Sequence, residues 1–209
     1  MITINLNKGK KVYFSSDNHL GSPNHSESLV REKLFVSWLD QIKTDAQVIF
    51  LLGDLFDFWF EYYRSVPKGY TRLLGKLSEL CDSGIKIYFF VGNHDYWTLD
   101  YFTKEIGMEV LKKPTDFKIN NKLFFMGHGD GLGPGDLKYK FLKKIFRNPI
   151  FIFLFRINYP WFGIPLGNFF SRKNKIFSGK EIKFEKKENE MLYFFCLLYT
   201  SPSPRDVLR

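Results

Sequence analysis

Four short stretches place metal-type ligands directly after an apolar run: Asp17 with His19, Gly53 with Asp54, Gly92 with Asn93, His94 and Asp95, and Gly127 with His128, Gly129 and Asp130. Carboxylate, imidazole and amide oxygen together suit divalent ions such as Mn²⁺, Fe²⁺ or Zn²⁺, and the lack of thiolate among them argues against a structural zinc site. On an extended segment an Asp-x-His spacing sends both side chains the same way, so Asp17 and His19 are expected to grip one ion from one side. Asp54 can bridge a second ion to it. Two such ions, about 3.5 to 4 Å apart, can clamp a phosphoryl group, generate hydroxide near neutral pH and stabilise a leaving oxygen. Taken singly, Asp17 or Asp54 reads as a loop cap, Asn93 as a turn residue and His94 as a surface histidine. Three of the chain's four histidines nevertheless sit in this one setting, and only His25 falls outside it, in what reads as an ordinary loop.

The elements that must position these residues alternate. Val12 to Ser15, Val48 to Leu52 and Ile85 to Val91 read as strands, the latter two so continuously apolar that both faces should be buried. Between them, Leu34, Trp38, Leu39 and Ile42 recur at helical spacing behind a cap at Ser26 or Ser28. Leu73, Leu74, Leu77, Leu80 and Cys81 mark a second helix closed by Ser83 and Gly84. A short helix is expected near Tyr101 to Ile106, then a hairpin of 115–120 and 122–127 around Asn120 and Asn121. The pattern predicts an α/β fold with its site at the carboxyl ends of the strands.

DNHLG, GDLFD, GNHDYW and GHGDG, in this order over residues 11 to 136, resemble the signature of the calcineurin-like metallophosphoesterases. The form GHGDGLGPGD from Gly127 to Asp136 and the WFEY after GDLFDF are similar to the UDP-2,3-diacylglucosamine diphosphatase branch of that family. The resemblance implies a four-layer αββα sandwich holding two Mn²⁺ ions, with Asp17 and His19 on one, Asp54 bridging, and Asn93 and His128 on the other. It implies that Asp136 contacts substrate. It also implies that His94 stands beside the phosphoryl group, stabilising its charge or protonating a leaving oxygen. The implied reaction is water attack on the pyrophosphate of UDP-2,3-diacylglucosamine, giving UMP and the lipid monophosphate, a step of lipid A biosynthesis. Another phosphodiesterase or nuclease of the superfamily is the rival enzyme, and a binding protein that kept the fold and lost the ions is the rival outside catalysis.

Composition adds a possible surface. The 209 residues carry a net charge of +9, yet residues 137–180 alone hold ten Lys or Arg and no acid, so the remainder nets to −1. The same 44 residues contain twelve aromatics, broken by Pro149, Pro160 and Pro165. Such a cationic, greasy helical insertion favours a phospholipid surface or an acylated phosphate substrate. Nucleic acid is the competing partner, and the Ile/Leu/Phe run at 150–155 tilts the reading toward lipid. With no apolar leader and no run of about 18 apolar residues, the chain is expected in the cytoplasm, peripheral on the inner face of the inner membrane. Two cysteines, Cys81 and Cys196, offer no redox framework, and the sequence does not set the oligomeric state.

The domain is expected to occupy residues 1–195, including the insertion at 137–180. The family's Gly-His-Thr-His segment, which gives one imidazole to each metal, is missing, as no histidine follows His128. Cys196 to Asp206, CLLYTSPSPRD, resembles a translated sequencing adapter, so residues 196–209 read as a non-native tail. The sandwich is therefore expected to be incomplete at its carboxyl end, and the chain as written inactive or poorly folded.

Overall fold

A computed structural model of the chain describes residues 1–129 and 137–157. Its central element is a parallel sheet in the order β2-β3-β4-β5, formed by Lys11–Ser15, Ala46–Leu51, Lys86–Phe90 and Glu109–Leu111. Each strand neighbours the next in sequence. The connections are α1 (His25–Ile42), α2 (Thr71–Asp82) and the single turn α3 (Tyr101–Lys104). A second, three-stranded sheet is ordered β1-β6-β7, from Ile2–Ile4, Thr115–Ile119 and Lys122–Met126. The chain then enters two helices, α4 (Leu137–Phe146) and α5 (Pro149–Ile157).

The central sheet is buried on both faces, as its unbroken apolar runs require. Ile49, Leu51, Ile87 and Phe89 pack with Phe35, Leu39 and Ile42 of α1, Leu73, Leu77 and Leu80 of α2 and Phe102 of α3. Val48, Phe50, Tyr88 and Phe90 face Ile4, Phe117, Ile119 and Met126 of the second sheet. Phe117 is the keystone of that interface, fully buried with its ring 4.9 Å from Phe50 and 5.1 Å from Tyr88. The described residues thus form helix, sheet and sheet layers of the α/β fold read from the sequence. The remaining layer, Asp130, Asp136, the insertion beyond Ile157 and the 196–209 tail lie outside the described residues.

Several local expectations change. The cap of α1 is Asn24, in extended backbone, whose Oδ1 accepts the Glu27 N–H at 3.0 Å; Ser26 and Ser28 lie inside the helix. His25 is the first helical residue rather than part of a loop. Leu34 points to solvent, and the buried face of α1 runs through Ser28, Glu32, Phe35, Leu39 and Ile42. The turn α3 stops at Lys104, two residues short of the expected end. Strands β1 and β5, three residues each, had no counterpart in the sequence reading. The hairpin is present, and Asn120 adopts the left-handed conformation its turn demands, at φ 50°.

Candidate metal centre

The loops that follow β2, β3, β4 and β7 meet at the carboxyl end of the central sheet. Pairing of β2 with β3 continues irregularly past the strand ends: Asp17 N–H donates to Gly53 O at 3.1 Å, His19 N–H to Asp54 O at 2.9 Å and Leu20 N–H to Leu55 O at 3.0 Å. The loop after β4 is tied in by Asp54 Oδ1, which accepts the His94 N–H at 3.0 Å, and by Trp59 N–H donating to His94 O at 3.1 Å. Asp17, His19 and Asp54 all have positive φ, at 54°, 43° and 51°. Non-glycine residues pay about 1–2 kcal/mol each for that conformation, a cost found where a site must be held in one geometry. The extended Asp-x-His segment expected from spacing is therefore corrected to a tight left-handed turn.

Side chains converge within it. Ligand atoms of Asp17, Asp54 and His128 lie within 4.8 Å of one another, as do those of His19, Asp54 and His94. Asp54 is common to both sets, the position a bridging carboxylate occupies. Asp17 Oδ1 also lies 4.0 Å from His19 Nε2, so the expected pairing of those two residues is as close as the members of these sets. Asp54 Oδ2 is 3.4 Å from His128 Nε2 and 3.7 Å from His19 Nε2. Asn93 joins through Oδ1, 3.2 Å from His128 Nε2.

The tautomers are set from behind. His128 Nδ1 lies 3.0 Å from Leu52 O and His94 Nδ1 lies 2.7 Å from Asp57 O; a carbonyl only accepts, so each Nδ1 carries the proton. On a neutral His128 ring Nε2 is then a lone pair, facing the oxygens of Asp54 and Asn93. Lone pairs gathered on one point with no proton among them suit a divalent cation. His19 Nδ1 faces the buried carboxylate of Asp57 at 3.4 Å, the outer-shell partner that orients a metal-ligating imidazole. These residues fit divalent ions.

Two glycines make the convergence sterically possible. A Cβ at Gly92 would stand 2.0 Å from Asp54 Oδ1, and one at Gly53, whose φ is 99°, would stand 2.4 Å from His128 Nδ1. Burial pushes the Asp54 carboxyl up, but when His128 is protonated its hydrogen bond and charge, followed by the charge of His94, outweigh that and hold the carboxyl below its ordinary value. Asp95, grouped with the ligands in the sequence reading, is instead fully buried behind them. Its oxygens accept the N–H of Gly92 at 2.6 Å and of Leu55 at 2.8 Å, tying two ligand loops together. Burial, then the charge of Asp54, push its carboxyl up to about 7 against the pull of those N–H groups.

Buried acids that the sequence reading passed over hold the surroundings. Glu61 Oε2 accepts the N–H groups of Leu99, Asp100 and Tyr101 at 2.6, 2.9 and 3.2 Å, and its Oε1 accepts Trp59 Nε1–H at 3.2 Å. Glu32 Oε1 accepts the first N–H groups of α2, from Arg72 and Leu73, at 3.1 and 3.2 Å. An acid set in an apolar run, such as Glu61 within FDFWFEYY, must find partners on burial, and that was the available signal.

Strand-end loops of an α/β fold carrying two overlapping carboxylate–imidazole sets define a metal-dependent phosphoester-hydrolase type of site. The chain belongs to the calcineurin-like phosphoesterase family, whose pattern it matches over residues 10–195. That family binds divalent metals, and the two ligand sets described above stand where such ions would be held. Among curated relatives, a UDP-2,3-diacylglucosamine hydrolase of Porphyromonas gingivalis is 40% identical over 166 residues, covering 79% of this chain and 63% of that protein. The similarly named protein of Pseudomonas fluorescens is 33% identical and covers 59% and 49%. That of Vibrio vulnificus is 30% identical and covers 71% and 59%. The chain thus spans about half to three fifths of the length of these relatives. A solved Pseudomonas putida nuclease overlaps only weakly, with a TM-score of 0.33 and 19% identity, over 49% of this chain and 48% of that one.

Proposed function

We propose that the protein hydrolyses the pyrophosphate bond of UDP-2,3-diacylglucosamine, yielding UMP and 2,3-diacylglucosamine 1-phosphate for lipid A biosynthesis. The observation that carries this reading is the pair of ligand sets sharing Asp54, in a chain 40% identical to a hydrolase named for that substrate. Asp17, His19, Asp54, Asn93 and His128 hold two divalent ions, Mn²⁺ in this reading. Such ions supply a water of lowered pKa and positive charge against the phosphoryl oxygens. Water oxygen bonds to phosphorus as the bridging P–O bond breaks, and the leaving phosphate takes up a proton. His94, its Nδ1–H committed to Asp57 O, presents Nε2 as the nitrogen that steadies the phosphoryl charge or passes the proton. Asp136 contacts the substrate.

The insertion supplies the apolar half of the recognition. The helix α5 buries none of its residues although most are apolar: Ile150, Phe153, Leu154 and Ile157 are each at least half exposed. With Lys143, Lys144 and Arg147 nearby in sequence, this surface suits acyl chains and the anionic face of the inner membrane, on the cytoplasmic side. Among the described residues no helix is long and apolar enough to cross a membrane.

The test uses the chain extended through the carboxyl-terminal part of the Porphyromonas gingivalis relative. Mn²⁺-dependent release of UMP from the acylated substrate, abolished by Asp54→Ala, is expected. Cleavage of oligonucleotides or small diesters with none of the acylated substrate would replace this reading by the nuclease one, and the absence of both Mn²⁺ binding and hydrolysis would replace it by the binding-protein one.

A further inference from the structure

The insertion does not rest on the body of the protein at random. The segment carrying Asn93 and His94 runs on to Trp97, which is bridged in parallel to Phe60 of the loop that begins at Asp54. Trp97 Nε1–H donates at 2.9 Å to the carbonyl of Phe146, the last residue of α4. Its ring stacks on Phe155 of α5, with centroids 5.6 Å apart and planes 26° apart, and meets Phe146 edge-on at 5.6 Å. The same ring also meets Phe58 at 6.0 Å and Phe60 at 5.2 Å. One residue earlier, Tyr96 lies beneath the Arg147 guanidinium at 4.2 Å, a cation–π contact between the same two parts.

Trp97, on the loop after β4, therefore touches α4, α5 and the loop after β3. Its own backbone is fixed from the other side. Trp97 O accepts the Glu61 N–H at 3.0 Å, while the Glu61 carboxylate holds the three N–H groups from Leu99 to Tyr101. A ring held this way transmits its position, because neither neighbour can shift without breaking a hydrogen bond or an aromatic contact.

We propose that Trp97 is the positioning residue that pins α4 and α5 to the metal-ligand loops, and that it thereby selects acylated over small soluble substrates. The second half rests on the function proposed above; the first does not.

The first arm of the test is hydrogen exchange on the 209-residue chain. Trp97→Ala is expected to speed exchange across residues 143–157 on the order of a hundredfold while β4 stays protected. Trp97→Phe, which keeps the ring and loses the N–H, is expected to speed it about threefold to tenfold. Unchanged exchange in 143–157, or an equal rise in β4, overturns the pin. The second arm measures kcat/KM on the extended enzyme. Trp97→Phe is expected to lower turnover of the acylated substrate about tenfold and leave bis(p-nitrophenyl) phosphate unchanged. An equal fall on both overturns the selection. If the unsubstituted enzyme cleaves only the small diester, the proposed substrate has failed, and the exchange arm alone still decides the pin.

Discussion

Gly92→Ala probes the metal centre with one methyl group. The added Cβ would lie 2.0 Å from Asp54 Oδ1, 2.6 Å from Asp54 N and 2.8 Å from Asp54 Cγ. Reaching ordinary contact requires Oδ1 to retreat by about 1.5 Å, and rotation of the side chain does nothing for the clash with the backbone nitrogen. The retreat breaks the His94 N–H to Oδ1 hydrogen bond, about 2 kcal/mol for a charged acceptor, and the overpacking adds about 1–3 kcal/mol. A loss of about 3–5 kcal/mol corresponds to a fall in Tm of roughly 6–20 °C for a domain of this size. Because Asp54 belongs to both ligand sets, Mn²⁺ affinity should fall at least about a hundredfold, as ligand distances tolerate only a few tenths of an ångström. Calorimetric Mn²⁺ titration and thermal unfolding measure the two losses. Gly75→Ala is the control, at a glycine of α2 with open space at its Cβ, and should gain about 0.5–1 kcal/mol. Undiminished Mn²⁺ binding by Gly92→Ala would refute the placement of Asp54 as the shared ligand.

Phe117→Ala empties the keystone between the sheets and should cost about 3–5 kcal/mol in denaturant melts, with a loss under about 1 kcal/mol counting against a shared inter-sheet core. Glu32→Ala removes the acceptor for the first N–H groups of α2, whose own cap position, Tyr70, supplies no side-chain bond; a loss of about 1–2 kcal/mol is expected by the same assay. Burial, aided by Asp82, pushes the Cys81 thiol up to about 11. At pH 8 its alkylation, followed on its own peptide by mass spectrometry, should be at least about a hundredfold slower in the folded than in the unfolded chain. The sign follows from linkage: the fold favours the neutral thiol, so its contribution holds below the unfolded pKa and is lost as pH rises toward about 11.

The parts of the site that were legible in the sequence are those that repeat a local rule. Val48 to Leu52 and Ile85 to Val91 are apolar without alternation because both faces are covered, and each ends in a glycine that must admit a ligand. That places Asp54, Asn93 and His94 at strand ends without knowledge of any contact. What escaped was set by tertiary structure. Asp57, Asp95, Glu61 and Glu32 are acids whose roles depend on N–H groups or imidazoles far away in sequence, as with Asp95 and Leu55. The left-handed turn at Asp17 and His19 is likewise something no spacing rule supplies. Strand β1 is too short to announce itself and exists because Ile2 to Ile4 pair with Phe117 to Ile119. The Asn24 cap was readable, since Glu27 three residues on completes a reciprocal pair through Asn24 Nδ2, but two nearby serines competed for the assignment.

The order of strands bears on how the chain matures on the ribosome. In the central sheet every neighbour is the next strand in sequence, so β2 through β5 can assemble progressively as they emerge, bringing Asp17, His19, Asp54 and Asn93 together early. Strand β1 has a different fate: Ile2 pairs with Phe117, so β1 waits for its partner through more than a hundred residues of translation. His128 arrives later still. A nascent chain halted before β6 would carry most of the cation ligands on a half-built sandwich, with its inter-sheet aromatics facing water and prone to aggregate until the second sheet closes over them.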